Sequence, residues 1–138
     1  MRFIVGTDED RPVIAALAQH LGERGHAVQV LPARTWAAIA TDVGRAVAAG
    51  EADQGIVCCW TGTGVTMAAN KIRGIRAALC TDAQTAAGAR KWNDANVLGL
   101  SLRLLSEPLA KEILDAWLDA AYGGSETESL EIIRRSEG

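Results

Sequence analysis

The residues best suited to chemistry lie in the stretch CCWTGTG, from Cys58 to Gly64. Glycines at positions 62 and 64 follow an apolar segment and precede a helical one, where they permit positive φ angles and a close approach of the backbone to a ligand. The N-terminus of a helix presents free N–H groups and the positive end of the helix dipole. The stretch therefore favours a site for a phosphate or a developing oxyanion over a purely structural turn.

Cys59 is the last residue before this turn, and a thiol beside a helix N-terminus can form the thiolate that serves as a base or a nucleophile. Alternation along a strand places Cys58 and Cys59 on opposite faces, so at most one of them should face the site. The alternative role for a buried cysteine is that of a small apolar residue, which we expect for Cys58 and Cys80.

Several common sites are excluded by spacing. No GK[ST] follows the turn, which excludes a Walker A loop, and Met67 breaks the GxGxxG pattern of dinucleotide-binding enzymes. No CxxC occurs, and neither His20 nor His26 has ligand-like spacing to the cysteines, so no metal site is expected.

The composition indicates a single globular domain of 138 residues, 49% hydrophobic and 22% charged, with a net charge of −3. That charge gives no reason to expect a nucleic-acid or anionic-membrane partner. No apolar run of membrane-spanning length occurs, and the chain becomes acidic too early for a signal peptide. An odd number of cysteines, two of them adjacent, favours a reducing compartment, so we expect a cytoplasmic protein.

Five apolar runs alternate with helical segments, which predicts right-handed βαβ units and a parallel sheet. The predicted strands span 2–6, 26–31, 54–59, 74–80 and 96–101. Ligands of such sheets bind at the carboxyl ends of the strands. The segments expected to meet there are 7–10, 58–64, 80–82 and 101–103.

Helix starts and the C-terminal tail have their own signals. Asp8 or Asp10 is expected to cap the first helix, Asp82 a later one, and Ser106 the long helix near the end. The tail 123–138 breaks at a Gly-Gly pair. It is expected to be disordered, or a short amphipathic helix that packs on a partner subunit.

Residues 55–104 contain, in order, the motifs CWTGTG, AANK (68–71), GIRA (74–77) and WNDANVL (92–98). Their order and spacing resemble the sugar-phosphate isomerase family that contains ribose-5-phosphate isomerase B and the galactose-6-phosphate isomerase subunits. The corresponding family motifs are C-G-T-G-x-G, A-A-N-K, G-I-R-A and H-N-D-x-N-V-L.

The resemblance implies a doubly wound (Rossmann-like) α/β domain over residues 1–122, with a five-stranded parallel sheet and helices on both faces. It also implies a homodimer or homotetramer with sites between subunits, and no cofactor. The activity implied is aldose–ketose isomerisation of a small sugar or sugar phosphate through a cis-enediolate.

The resemblance also assigns roles to residues. Cys59 is the base that moves a proton between C1 and C2, and Thr61 stabilises the enediolate oxygen. Backbone N–H groups around Gly62 and Gly64 assist Thr61. The sugar hydroxyls are contacted by Asp8 and Asn93.

The chain departs from the family at several of these positions. Trp92 replaces the histidine that assists ring opening, Glu9 replaces a second histidine, and Trp60 replaces a glycine. Ser125 and Ser129 stand near the positions of two phosphate-binding arginines, in a locally acidic tail, whereas Arg103 remains.

These departures predict that the chemistry is retained and that substrate recognition is altered. Trp60 and Trp92 either fill the core or together form an apolar wall of the site. One hypothesis is an open-chain substrate such as a four-carbon sugar 4-phosphate, which needs no ring-opening histidine; an unphosphorylated sugar is another. The competing functions are a catalytically silent sugar-binding homologue or partner subunit and, far less favoured, a dinucleotide-binding enzyme.

Overall fold

The computed structural model describes residues 1–137 and contains five strands alternating with six helices. The strands are β1 (Arg2–Thr7), β2 (Ala27–Val30), β3 (Gln54–Cys59), β4 (Ala77–Leu79) and β5 (Val97–Ser101). The helices are α1 (Pro12–Glu23), α2 (Trp36–Ala48), α3 (Thr63–Ala69), α4 (Ala83–Asn93), α5 (Glu107–Asp119) and α6 (Thr127–Arg135).

All five strands are parallel and form one sheet in the order β2-β1-β3-β5-β4. β3 lies at the centre and is buried along its whole length, as the apolar run 56–59 predicts for a strand covered on both faces. Its last residues pair with both neighbours, Cys58 with Thr7 of β1 and Cys59 with Ser101 of β5. The predicted doubly wound fold is confirmed.

Helices cover the two faces of the sheet unequally. Residues of α1, α4 and α5 pack with Cys58 in one apolar cluster, and residues of α2 and α3 pack with Cys59 in the other. The two cysteines therefore face opposite sides of the sheet, as strand alternation predicts.

One polar pair lies within the first cluster. The indole Nε1 of Trp117 on α5 donates to Oε1 of Gln54 at 2.8 Å, and both side chains are buried. The Arg90 guanidinium lies 5.7 Å from the centre of the Trp117 ring. The pair satisfies an indole N–H that burial would otherwise leave without an acceptor.

The helix caps match the sequence predictions in two cases and differ in one. Asp82 accepts from Thr85 N at 2.7 Å, and Ser106 accepts from Leu109 N at 3.2 Å. The expectation that Asp8 or Asp10 caps α1 is wrong: Arg11 occupies that position, and no side chain caps the helix. Both aspartates precede the capping residue, because α1 begins only at Pro12.

The predicted fourth strand is shorter than expected. Only Ala77–Leu79 pairs with β5, because Gly74 adopts a left-handed φ of 88° and residues 74–76 turn into the sheet.

The tail after the Gly-Gly pair is helical, which settles the choice between a helix and a disordered end for its described part. α6 has no buried residue, and Ile132 and Ile133 are exposed. The segment is held by hydrogen bonds from Gly123 N to Lys91 O at 3.3 Å and from Gly74 N to Glu137 at 2.8 Å. Gly138 lies outside the described residues.

Within residues 1–137, every helix is too short or too polar to cross a lipid bilayer.

Candidate active site

A crevice forms where β1 and β3 end side by side, because the helices that follow them pack on opposite faces of the sheet. Asp8 N donates to Cys58 O at 3.2 Å, and Leu102 N donates to Cys59 O at 2.9 Å. Arg103 N donates to Trp60 O at 3.0 Å. The loops after β1, β3 and β5 thus meet at one edge, as the sequence predicts.

Cys59 is the cysteine best placed for chemistry in this crevice. It ends β3 and is 6% exposed, whereas Cys58 is fully buried against the opposite face. Burial raises the pKa of the Cys58 thiol, and it raises the pKa of the Cys80 thiol to about 12. Neither of these two thiols forms a thiolate at neutral pH, in agreement with their expected role as small apolar residues.

The turn after Cys59 requires glycine at position 62. Gly62 precedes α3 with a left-handed φ of 78°, and a Cβ there would lie 2.9 Å from the carbonyl carbon and oxygen of Leu100. No side chain caps α3, so its first N–H groups remain available to an oxygen of a ligand. The exposed Thr61 hydroxyl forms a 2.7 Å hydrogen bond with the Thr63 hydroxyl beside them.

Gly64 is required for close packing rather than for its φ angle. A Cβ at this position would lie 2.9 Å from Cε3 of Trp36, the first residue of α2. Trp36 thus forms an apolar side of the turn, a role that the sequence did not predict. The available signal was its position after β2, at the same edge of the sheet.

Asp8 has an unsatisfied carboxylate oxygen in the crevice. Its Oδ1 is buried and has no hydrogen-bond partner among the described residues. Burial, and then the negative charge of Glu9, raise the pKa of the Asp8 carboxyl above its ordinary value. An unpaired buried acceptor beside the turn is suited to a sugar hydroxyl, the role that the family resemblance assigns to it.

Trp60 and Glu9 both contact Arg11, which the sequence did not single out. The Arg11 guanidinium carbon lies 5.0 Å from the centre of the Trp60 ring, and its Nη2 lies 3.2 Å from each carboxylate oxygen of Glu9. Trp60 is 51% exposed, so the expectation of core filling is wrong for this residue. It forms part of the rim of the crevice.

Trp92 and Asn93 lie near the amino ends of the strands, away from the crevice. α4 begins beside Asp82, near the carboxyl ends of the strands, and has eleven residues. At about 1.5 Å per residue, its end lies roughly 16 Å away. There Asp94 O accepts from Arg76 Nε at 2.8 Å, just before β4 begins. Within one chain, the structure does not bring these two residues to Cys59.

Trp92 is not a core residue either. It is 51% exposed and packs over Gly88 of its own helix, in a groove of about 500 Å³ beside the edge strand β4. Trp60 and Trp92 do not form a joint apolar wall within a single chain, because α4 places Trp92 near the amino ends of the strands, whereas Trp60 lies at the carboxyl ends.

The remaining predicted positions are exposed. Arg103 lies at the carboxyl edge through its backbone bond to Trp60, and Ser125 and Ser129 lie around the start of α6. Among residues 1–137, no three histidine, cysteine or acidic side chains are grouped so that they could hold a metal ion.

Comparison with known proteins agrees with this architecture. The family described as Ribose/Galactose Isomerase matches residues 4–133. Ribose-5-phosphate isomerase B of Escherichia coli is 43% identical over 129 residues, which cover 88% of this chain and 85% of that protein. D-erythrulose-4-phosphate isomerase of Pectobacterium atrosepticum is 44% identical over 96 residues, covering 69% of this chain and 63% of that protein.

A solved structure of ribose-5-phosphate isomerase B from Clostridium thermocellum superposes with a TM-score of 0.94 at 36% identity, covering 99% of this chain and 97% of that one. These matches confirm the predicted fold and the predicted activity, that of an aldose–ketose isomerase. The chain is a member of the ribose/galactose isomerase family.

Proposed function

We propose that this isomerase uses Cys59 as its base and that its substrate is an acyclic four-carbon ketose 4-phosphate. The observation that carries the first part is the adjacency of Cys59 to the turn at Gly62, whose left-handed backbone opens the uncapped end of α3. A base and a preformed oxyanion site are the two requirements for abstracting a proton beside a carbonyl.

In this mechanism the Cys59 thiolate removes the proton from the carbon next to the carbonyl. The C–H bond breaks, an S–H bond forms, and the electron pair enters the C=C bond of the enediolate. The oxygen that gains charge accepts from the Thr61 hydroxyl and from backbone N–H groups near Gly62. The hydroxyl proton on the other oxygen passes to the oxygen that gained charge. The same thiol then returns its proton to the carbon that carried the carbonyl, and the new carbonyl forms on the oxygen that lost its proton.

Asp8 orients the substrate during the same step. Its unpaired Oδ1 can accept a hydrogen bond from a substrate hydroxyl, which orients the two carbons that exchange the proton. The buried carboxylate then has the partner that the chain itself does not provide.

The site is completed, we propose, by a second copy of the chain. Asn93 and Trp92 are exposed near the amino ends of the strands, whereas Cys59 lies at a carboxyl end. They can therefore contribute only to the crevice of another subunit. The unburied α6 and its exposed isoleucines favour an assembly of at least two copies, a homodimer or a homotetramer.

The substrate class is supported by the residue at position 92. An indole at neutral pH has no acceptor nitrogen and cannot relay the proton that opens a sugar ring. A four-carbon sugar phosphorylated at its last oxygen has no free hydroxyl to close a furanose, so it needs no such relay. The similarity to an isomerase named for D-erythrulose 4-phosphate supports this choice; the similarity to ribose-5-phosphate isomerase B makes ribose 5-phosphate the second candidate.

The test is isomerisation of erythrulose 4-phosphate and ribose 5-phosphate, followed in deuterated water by incorporation of deuterium at C1 and C2. We expect the higher kcat/KM for the tetrulose phosphate, and a loss of at least about a hundredfold in Cys59→Ala. Cys58→Ala is the matched control, because its thiol faces the other side of the sheet. Full activity in Cys59→Ala would overturn the assignment of the base.

The competing function is a sugar-binding homologue or partner subunit without turnover of its own. Binding of a sugar phosphate without isotope exchange would support that function instead. We also propose a reducing compartment such as the cytoplasm, because the cysteines are free and buried rather than disulfide-bonded.

A further inference from the structure

We infer that Arg11 binds the anionic end of the substrate, and that Trp60 and Glu9 hold its guanidinium in place. The inference deepens the proposed function, on which its identification of the ligand as a sugar phosphate rests. It makes Arg11 a specificity-determining residue of the crevice.

The first support is the position of Arg11. It ends the loop from β1, directly before α1, and its guanidinium carbon lies 5.0 Å from the centre of the Trp60 ring. Trp60 follows Cys59 in the chain, so the guanidinium packs against the residue next to the proposed base. We place the distal end of a small substrate bound at Cys59 against this guanidinium.

The second support is an unmet donor. Nε of Arg11 is buried and has no hydrogen-bond partner among the described residues. A buried N–H group normally has an acceptor, and its absence here points to an acceptor on a ligand. The guanidinium presents its N–H groups in a planar fork that fits two oxygens of a phosphate.

The third support is that the guanidinium is already oriented. Nη2 contacts both oxygens of Glu9 at 3.2 Å, and the indole of Trp60 supports one face of the planar group. Glu9 therefore occupies one corner of the fork and leaves Nε and Nη1 for a ligand. A cation whose plane is fixed loses less entropy on binding than a free one.

The fourth support is the charge of the surroundings. Asp8, Glu9 and Asp10 are consecutive carboxylates in the loop at this edge. They would repel an anionic substrate, so a bound phosphate requires a cation among them. Arg11 follows them directly, and the uncapped N-terminus of α1 adds the positive end of a helix dipole at the same place.

The experiment compares erythrulose 4-phosphate with unphosphorylated erythrulose in Arg11→Ala and Arg11→Lys. We expect Arg11→Ala to lower kcat/KM for the phosphate ester by about tenfold or more, mainly through KM, and to leave kcat/KM for the free sugar unchanged. Arg11→Lys should recover part of the loss, since an ammonium keeps the charge but not the fork. The control is Arg45→Ala, which removes an exposed arginine from the last turn of α2.

Trp60→Phe and Trp60→Gly test the positioning role. Phenylalanine keeps a ring under the guanidinium and should preserve KM for the phosphate ester, whereas glycine should raise that KM with little change in kcat. If Arg11→Ala fails to fold, Arg11→Gln serves in its place. Equal losses for the phosphorylated and the free sugar, or no loss for either, would overturn the inference.

Binding of inorganic phosphate, measured by calorimetry, separates this inference from the proposed function. If the wild-type protein turns over no sugar, the proposed function fails. Loss of phosphate binding in Arg11→Ala but not in Arg45→Ala then still supports an anion site at Arg11. Phosphate binding that is unchanged in Arg11→Ala, or absent from the wild-type protein, contradicts that site whatever the activity.

Discussion

The indole of Trp36 lies so close to Gly64 that a Cβ on the glycine would stand 2.9 Å from Cε3 and 3.1 Å from Cδ2 of the ring. Two segments far apart in sequence are thereby packed directly against each other beside the proposed base. The contact ties the start of α2 to the start of α3, so the shape of the crevice depends on both helices.

This contact predicts a non-additive pair of substitutions. Gly64→Ala should lower the free energy of unfolding by about 1–3 kcal/mol, because the added methyl group overlaps the indole. In a Trp36→Ala background the same change should cost much less, because the ring is gone. Urea denaturation of the two single variants and the double variant measures the coupling; strictly additive effects would contradict the packing.

At Gly62, replacement by alanine should impair activity more than stability alone explains. The φ of 78° disfavours any residue with a Cβ, and that Cβ would also meet the carbonyl group of Leu100 at 2.9 Å. We expect Gly62→Ala to lower kcat by about a hundredfold, as displacement of an oxyanion donor does in other enzymes. Gly50→Ala is a control, since Gly50 has a φ of 77° with no atom near its added Cβ. It should lose stability and keep kcat.

Asp8 predicts a particular dependence of stability on pH. Because its folded-state pKa is raised above the model-compound value of 3.8, the folded chain retains a proton that the unfolded chain releases. The resulting stabilisation is present below that value and is lost as the pH rises through the raised pKa. The free energy of unfolding of Asp8→Asn, relative to wild type, should therefore increase as the pH rises from below 3.8 through the raised pKa.

Denaturation curves at several pH values test this, with Asp10→Asn as the control from the exposed part of the same loop. A difference between Asp8→Asn and wild type that is independent of pH would contradict the prediction. Activity should fall in Asp8→Asn even where its stability rises, because a neutral amide oxygen is a weaker acceptor for a sugar hydroxyl than a carboxylate.

The buried hydrogen bond between Gln54 and Trp117 predicts a loss of folding stability when its acceptor is removed. Gln54→Leu leaves the indole N–H without its 2.8 Å acceptor in the core, so stability should fall by about 1–3 kcal/mol. Gln19→Leu, on the exposed side of α1, should change it by less than about 0.5 kcal/mol. Thermal or urea denaturation provides both values, and equal effects of the two substitutions would show that the buried bond contributes nothing.

Mixing two inactive variants tests whether the site is shared. Cys59→Ala and Asn93→Ala should each be inactive alone if both residues serve one site from different subunits. After subunit exchange, heterodimers regain one intact site each. An equal mixture of a dimeric enzyme should therefore recover about a quarter of wild-type activity. No recovery, under conditions where exchange is shown by mass spectrometry, would contradict a site between subunits.

Much of the scaffold was predictable because its signals are local. The apolar run 56–59 of β3 predicts a strand buried on both faces, and Asp82 and Ser106 stand where helices begin. The glycine at position 62 is required by its own backbone angle, which depends on neighbours in the chain. The helix caps and the backbone angle of Gly62 follow from interactions within a few residues, whereas the contact of Gly62 with Leu100 arises only in the folded sheet.

By itself, the sequence determined the family, the parallel sheet and the turn that follows Cys59. Only the tertiary structure decided that Arg11 stacks on Trp60, that Trp36 packs on Gly64, and that Trp92 lies at the opposite edge from Cys59. The physical reason is that these relationships join segments distant in the chain. They depend on the strand order and on the face that each helix covers, and a local pattern of apolar residues carries neither.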